Sequence, residues 1–283
     1  MKRLLLAIIA LSGAMTCMSQ TDTTVTEKPD TIRAEKADTI RIGGMIIIKK
    51  KGNNEDSKNK REVIISNRKK RKPSNISTNW WIVDIGFANL HDQTNYASPA
   101  AQAFAPGFTK DQFDLKTKSI NVNLWFFMQR LNIIKHAVNL KYGMGLELNN
   151  YHFDDESVRL SKNPTLLTLD PALESVKKNK LAVDYITVPI MLNFNFTPGR
   201  DKGFGLSAGM SAGYLYSARQ KIKSNDDKKK LHDDFDLRKW KLSYIGELNL
   251  GPVKLYGTYA LKSMWEKGLD QTPYNVGIRF SHW

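Results

Sequence analysis

The feature that most constrains this chain is an apolar side chain at every second residue, recurring in segment after segment from Trp80 onward. Alternate residues of a strand point to opposite faces, so each segment has one apolar face and one small or polar face. Trp81, Val83, Ile85 and Phe87 alternate with Asp84, Gly86 and Ala88. Ile120, Val122, Leu124, Phe126 and Met128 alternate with Asn121, Asn123, Trp125, Phe127 and Gln129. Residues 138–148, 204–214, 240–249, 253–262 and 274–280 repeat the pattern. Within 180–196, Ile186, Val188, Ile190, Leu192, Phe194 and Phe196 are set against Tyr185, Thr187, Pro189, Met191, Asn193 and Asn195. Pro189 has no N–H to give to a ladder and predicts an irregularity there. These are eight strands of roughly ten residues, the length a tilted membrane-spanning strand needs.

The connections alternate as well. Those at 90–118, 150–179 and 220–237 are long, and 263–271 is intermediate. Those at 130–136, at 197–202 with the turn signal Pro198-Gly199, and at Gly251-Pro252 are short. Short turns at one end and long loops at the other are the plan of an outer-membrane barrel. No apolar run reaches the length of a transmembrane helix. The expected fold is therefore all-β: an eight-stranded antiparallel transmembrane β-barrel over 80–283. The competing fold, a soluble sandwich or lipocalin-like barrel, would bury the apolar face inside. The other face would then meet water, whereas lipid around a closed ring satisfies both the apolar face and the backbone.

That other face carries Asp84, Glu147, Asp184 and Glu247 with Lys141, Lys241, Lys254, Lys262 and Arg279. An eight-stranded barrel is only wide enough inside for side chains. These charges are expected to pair there as a structural lumen network, because buried charges are paired or neutralised. Gly143, Gly145, Gly205, Gly209 and Gly213 would make room for them. A filled lumen argues against an open diffusion pore.

The N-terminus reads as an address. Lys2 and Arg3 precede an apolar run at 4–11 and small or polar residues to Ser19, which predicts a secretory signal peptide over 1–19. Its removal would take the formal charge from +15 to +13. Cys17 raises lipidation as a rival, but Ala14, Met15 and Thr16 fit a lipobox poorly. Residues 20–79 lack an apolar period and read as a basic, mostly disordered periplasmic linker, with the repeat Asp30-Thr31-Ile32-Arg33 and Asp38-Thr39-Ile40-Arg41 and one short strand at 45–48. The basic run at 49–72 is a candidate contact for a periplasmic protein or cell-wall partner. It has no interleaved aromatic residues, so nucleic acid is not expected.

Two stretches, 185–192 (Tyr-Ile-Thr-Val-Pro-Ile-Met-Leu) and 208–217 (Ala-Gly-Met-Ser-Ala-Gly-Tyr-Leu-Tyr-Ser), resemble the fourth and fifth strands of the PorT-like outer-membrane β-barrel family of Gram-negative bacteria. The resemblance covers about 80–283. It implies an outer-membrane location among lipid and lipopolysaccharide, and it brings in a role as subunit of a secretion or transport machine. It carries over no catalytic residue. Phe280 and the terminal Trp283 form a candidate signal for the barrel-assembly machinery, although Trp283 is one step out of phase with Tyr274, Val276, Ile278 and Phe280.

No motif sets a catalytic geometry, and no cofactor or metal site is expected. His91 and His152, with Asp92, Asp154, Asp155 and Ser157 nearby in sequence, are the residues a lipid-modifying enzyme would use. The loops are the other candidates: 96–108, with Phe104 and Phe108, as a contact surface, and 226–236 as a solvated charged loop. The expected role is structural or interaction-based, with the extracellular loops and periplasmic tether as partner surfaces. A machine subunit, a narrow pore and a lipid-modifying enzyme stand as alternatives, in that order.

Overall fold

The computed structural model describes residues 38–42, 45–49, 74–173, 176–198, 203–224 and 227–281. The chain divides into two compact units, Met1–Arg71 and Lys72–Trp283. In the first, β1 (Asp38–Ile42) and β2 (Met45–Lys49) form an antiparallel hairpin with Asp38 opposite Lys49 and Ile42 opposite Met45. The single strand expected at 45–48 is thus one arm of a hairpin, and the second copy of the Asp-Thr-Ile-Arg repeat forms the other. The signal peptide over 1–19 and the basic run after Lys49 lie outside the described residues.

The second unit contains β3 (Ile76–Asp92), β4 (Ile120–Ile134), β5 (Val138–His152), β6 (Val158–Leu160), β7 (Leu167–Leu169), β8 (Lys178–Asn195), β9 (Phe204–Lys223), β10 (Lys228–His232), β11 (Trp240–Leu250), β12 (Val253–Ala260) and β13 (Gln271–Phe280). Eight of them close a ring in the order β3-β4-β5-β8-β9-β11-β12-β13, every neighbour antiparallel. The last strand pairs the first, from Gln271 opposite Asp92 to Phe280 opposite Val83. Closure leaves no edge in the ring, which is what a sheet surrounded by hydrocarbon requires. These are the eight strands of the two-residue alternation.

Outward side chains form an apolar band: Ile85, Phe87, Ile190, Leu192, Leu206, Met210, Leu242, Leu248, Leu255, Val276 and Ile278 are 38–68% exposed. Aromatic rings border the band at both ends. Trp80 meets Phe127 and Trp81 meets Phe126 at the short-turn end, each with ring centroids 6.0 Å apart. Tyr214 meets Trp240 at 4.9 Å at the long-loop end. Aromatic residues favour such apolar–aqueous boundaries. From Phe204 to Tyr214 a strand tilted by about 40° climbs roughly 25 Å, the height of the apolar band of a membrane barrel.

Local irregularities correct the simple alternation. A register shift in β4 between Trp125 and Phe127 leaves Phe126 bulged, and the phase reverses beyond it. Met128, expected on the apolar face with Phe126, is instead fully buried in the lumen. In β8 the shift falls between Asp184 and Tyr185. The ladder from β8 to β9 runs unbroken past Pro189, while the ladder to β5 lapses between Ile190 and Thr187, on either side of that proline. The linker boundary also moves: Ile76, Ser77, Thr78 and Asn79 are paired with residues 131 to 128 and belong to the barrel. Three of those four side chains are polar, so they carry no apolar signal.

Candidate functional site: a charged lumen beneath an apolar lid

Each barrel strand sends its second set of side chains inward, and the small bore forces them into contact. Arg279 is the hub. Its Nε and Nη2 donate to Asp84 Oδ1 and Oδ2, both at 2.7 Å, and its Nη1 donates to Glu247 Oε2 at 2.7 Å. Lys141 Nζ donates to both Glu247 oxygens, at 2.8 and 2.6 Å. Trp125 Nε1 and Asn123 Nδ2 complete the shell of Asp84 at 2.7 and 3.1 Å. Toward the long-loop end, Lys241 pairs Glu147, which also accepts from Asn149 at 3.2 Å and Asn275 at 3.1 Å. Lys241 Nζ lies 4.7 Å from the Tyr185 ring centre. Tyr256 donates to Asn121 Oδ1 at 2.6 Å, and Asn121 donates to Asn149 Oδ1 at 2.9 Å. Three carboxylates, Asp84, Glu147 and Glu247, thus face three cations, Lys141, Lys241 and Arg279, all six buried. Balanced pairing of this kind is what lets charges remain in a closed interior.

Of the other expected members, Lys254 also faces the lumen, within electrostatic reach of Glu247, Lys141 and Arg279, whereas Asp184 and Lys262 do not. Lys254 is buried at the short-turn end and donates to Ser281 O at 2.9 Å and Oγ at 2.6 Å. Asp184 lies on the outer face, where it pairs with Arg219. Lys262 is not in the lumen at all. The ladder of β12 ends at Ala260, and Lys262 is exposed on a side cleft of about 460 Å³ with Arg238, Lys239 and Glu266. Phe280 ends β13 and faces outward; Trp283 lies outside the described residues.

The ring is approached by close backbone contacts that tolerate no side chain. Gly86 and Gly277 are directly opposite. A Cβ on Gly277 would fall 2.3 Å from Ile85 O, and one on Gly86 would fall 2.5 Å from the Tyr256 hydroxyl.

Above the charges, the long loops close the mouth with a core of their own. α1 (Pro99–Phe104) starts at Ser98, whose hydroxyl accepts from the Ala101 N–H at 3.2 Å. The helix presents Ala101 and Phe104 inward. Phe104 packs edge-on against Trp265 at 5.3 Å, and Phe113 against Phe153 at 5.5 Å. The β6–β7 hairpin adds Val158, Leu160 and Leu167, and the 227–239 segment adds Phe235 and Leu237, all buried. The expected contact surface at 96–108 is therefore internal: Tyr96, Phe104 and Phe108 are buried in this lid. The loop expected to be solvated at 226–236 likewise contributes β10 and Phe235. Hydrogen bonds tie lid to ring. Trp265 Nε1 donates to Gln271 Oε1 at 2.8 Å, while Gln271 Nε2 and the Tyr96 hydroxyl donate to Asp92 Oδ2 at 2.9 and 2.6 Å. Burial and the adjacent Asp92 carboxylate push the Tyr96 phenol well above its usual range.

The two histidines do not meet. His91 Nδ1 bonds the Tyr259 hydroxyl at 2.8 Å, and Asp92 is turned to the lid. Ser157 donates to Asp155 at 2.6 Å. His152 lies among Lys116, Lys118, Lys178 and Lys180, and burial with these cations lowers its pKa to about 4. Among the described residues no Ser or Thr hydroxyl bonds either ring, and no three His, Cys, Asp or Glu side chains gather as metal ligands. Arg219 and Trp125 reach their aspartates only through the register of neighbouring strands, which the alternation alone does not reveal.

A search among curated proteins found no match. Residues 93–264, from the first long loop to the last, match the family described as outer membrane protein beta-barrel domain, and this chain belongs to it.

Proposed function

We propose that this chain is a non-conducting, non-enzymatic barrel that holds its long loops outside the cell and its N-terminal extension in the periplasm, both as surfaces for partners. The observation that carries this reading is the filled bore. A bonded chain from Lys141 through Glu247 and Arg279 to Asp84 occupies the lumen, and an apolar lid lies over it. The even strand count, with both ends of the ring on the short-turn side, supports this orientation, since short turns are periplasmic in the general plan of such barrels. The partners are lipopolysaccharide around the band, the barrel-assembly machinery through Phe280 and Trp283, and a periplasmic protein or the cell wall through 49–72. Within the family we place the chain among the PorT-like barrels. The two stretches that carry that resemblance are adjacent here, Val188 lying opposite Ala212. The test is single-channel recording in planar bilayers. The expected trace stays at baseline; a stable ohmic conductance overturns the reading.

A further inference from the structure

On one side of the ring, above the apolar band, β8, β9 and β10 set their cations in cross-strand rows. Lys178 is opposite Lys223, and Lys223 is opposite Lys228. Lys180 is opposite Lys221, and Lys221 is opposite Lys230. Arg219 is opposite His232 in the row below. Directly opposed residues of antiparallel strands share a face. That face is the outer one, because the alternating residues Asn179 and Gln220 are buried inside, with Gln220 Nε2 donating to Asn179 Oδ1 at 2.9 Å. His152, opposite Lys180 at the end of β5, and Lys116 and Lys118, just before β4, lie beside the patch.

Like charges directly opposed weaken a sheet, and the described residues do not neutralise these. Asp184, the acid on the same face, is taken by Arg219, and Glu156 is taken by Lys116. Asp227, Asp233 and Asp234 flank β10 without an ion pair to the rows, and none of the six lysines has one among the described residues. Lys180 bonds the neutral Asn150 at 2.5 Å. Burial, then Lys178, Lys221 and Arg219, bring its pKa down to about 8. His152, 6% exposed, has an Nδ1 without a partner among the described residues. Among the described residues, no carboxylate forms an ion pair with these six lysines.

The height of the patch says which anion fits it. Ile186 is the last large apolar outward residue of β8, and Lys180 lies six residues beyond it. At about 3.3 Å per residue and a tilt of about 40°, the middle row stands roughly 15 Å above the hydrocarbon edge. A phospholipid headgroup layer is about 5–8 Å deep. The rows therefore stand above phospholipid phosphates, at the level of a headgroup extended by charged sugars.

We propose that these lysine rows bind the anionic saccharide headgroup of an outer-leaflet lipopolysaccharide, through the carboxylates and phosphates of its core sugars. The inference rests on the orientation proposed above, with the long loops outside. The experiment places the full chain in phosphatidylcholine nanodiscs containing phosphatidylglycerol, lipid A without core sugars, or lipopolysaccharide with its acidic core. Lipid retained through detergent extraction is then measured. Retention of core-bearing lipopolysaccharide should fall about a hundredfold in the Lys180→Gln/Lys221→Gln/Lys230→Gln variant, at about 1 kcal/mol per lysine. It should return in the Lys→Arg triple and weaken with salt. Heat-modifiable gel mobility checks that each variant is folded. Equal retention by wild type and the Gln variant overturns the proposal. Equal lysine dependence for phosphatidylglycerol or bare lipid A overturns the saccharide assignment, as does complete displacement by inorganic phosphate. Orientation is read separately, by labelling Lys229→Cys in intact cells with an impermeant maleimide against the unsubstituted chain. Failure to label there refutes the orientation and leaves the nanodisc result standing.

Discussion

Replacing Glu247 by Leu is the most direct test of the lumen. Glu247 accepts two bonds from Lys141 and one from Arg279, and all three groups are buried. Arg279 keeps both bonds to Asp84 after the substitution. Lys141 loses its ion pair inside the ring. Removing one partner of a buried pair costs about 3–5 kcal/mol. Each 1.4 kcal/mol is about tenfold in an equilibrium constant, so the ratio of folded to unfolded protein should drop roughly a thousandfold. Lys141→Met should cost less, since Glu247 keeps its ion pair with Arg279. The Lys141→Met/Glu247→Leu double variant removes both charges and should be far less destabilised than the sum of the singles. The assay is urea unfolding of the folded barrel in detergent micelles, followed by circular dichroism and by the unboiled gel mobility. Glu247→Leu within about 1 kcal/mol of wild type, or a double equal to the sum, would refute the reasoning. Either result would mean that water in the bore already screens these charges.

Two further predictions concern the long-loop end. His152 has its pKa lowered to about 4 by burial and then by Lys178, Lys180, Lys118 and Lys116. The unfolded ring takes a proton near pH 6.5 while the folded ring stays neutral, so its contribution to stability is intact above about pH 6.5 and is lost as pH falls toward 4. The urea midpoint should drop between pH 7 and 5, and His152→Gln should remove that part of the drop; an unchanged slope in the variant counts against it. Gly268→Ala meets two penalties in the lid: φ is +84°, and the new Cβ falls 2.4 Å from Phe104 Cβ. A cost of about 1–3 kcal/mol should appear as faster protease cleavage within 93–119 while the gel mobility of the barrel is retained.

How much of this was legible follows from what surrounds each residue. Lipid imposes one requirement on every outward residue, so the strands announce themselves as a strict period of two, and the paired lumen charges occupy the alternate positions. The phase fails where a bulge intervenes, as at Phe126, because an inserted residue leaves no mark in composition. It fails again past the end of β12, where Lys262 keeps the rhythm of a strand that has already stopped. The outward extensions of β8 and β9 are hidden for the opposite reason. Lys178, Lys180, Lys221 and Lys223 alternate with residues that face the lid core, yet polar rows above a membrane look like loop. The lid itself draws residues from four distant segments, among them Phe104, Phe153, Phe235 and Trp265, so no single local window contains its pattern.

The hydrogen bonds of Gln271 tie the closing seam of the ring to the lid. Gln271 is the top residue of the seam that joins the last strand to the first, opposite Asp92. The same side chain links Trp265, Asp92 and the Tyr96 hydroxyl. The lid and the seam therefore share a keystone. While the ring is still open, the loops lack the anchor that holds them together, and the bore is reachable from above. Pairing of β13 with β3 should therefore bring Trp265 to its place over the mouth. A chain released before that seam forms would leave Phe104, Phe113 and Trp265 wet and sticky, and completion of insertion is the step that seals the vessel.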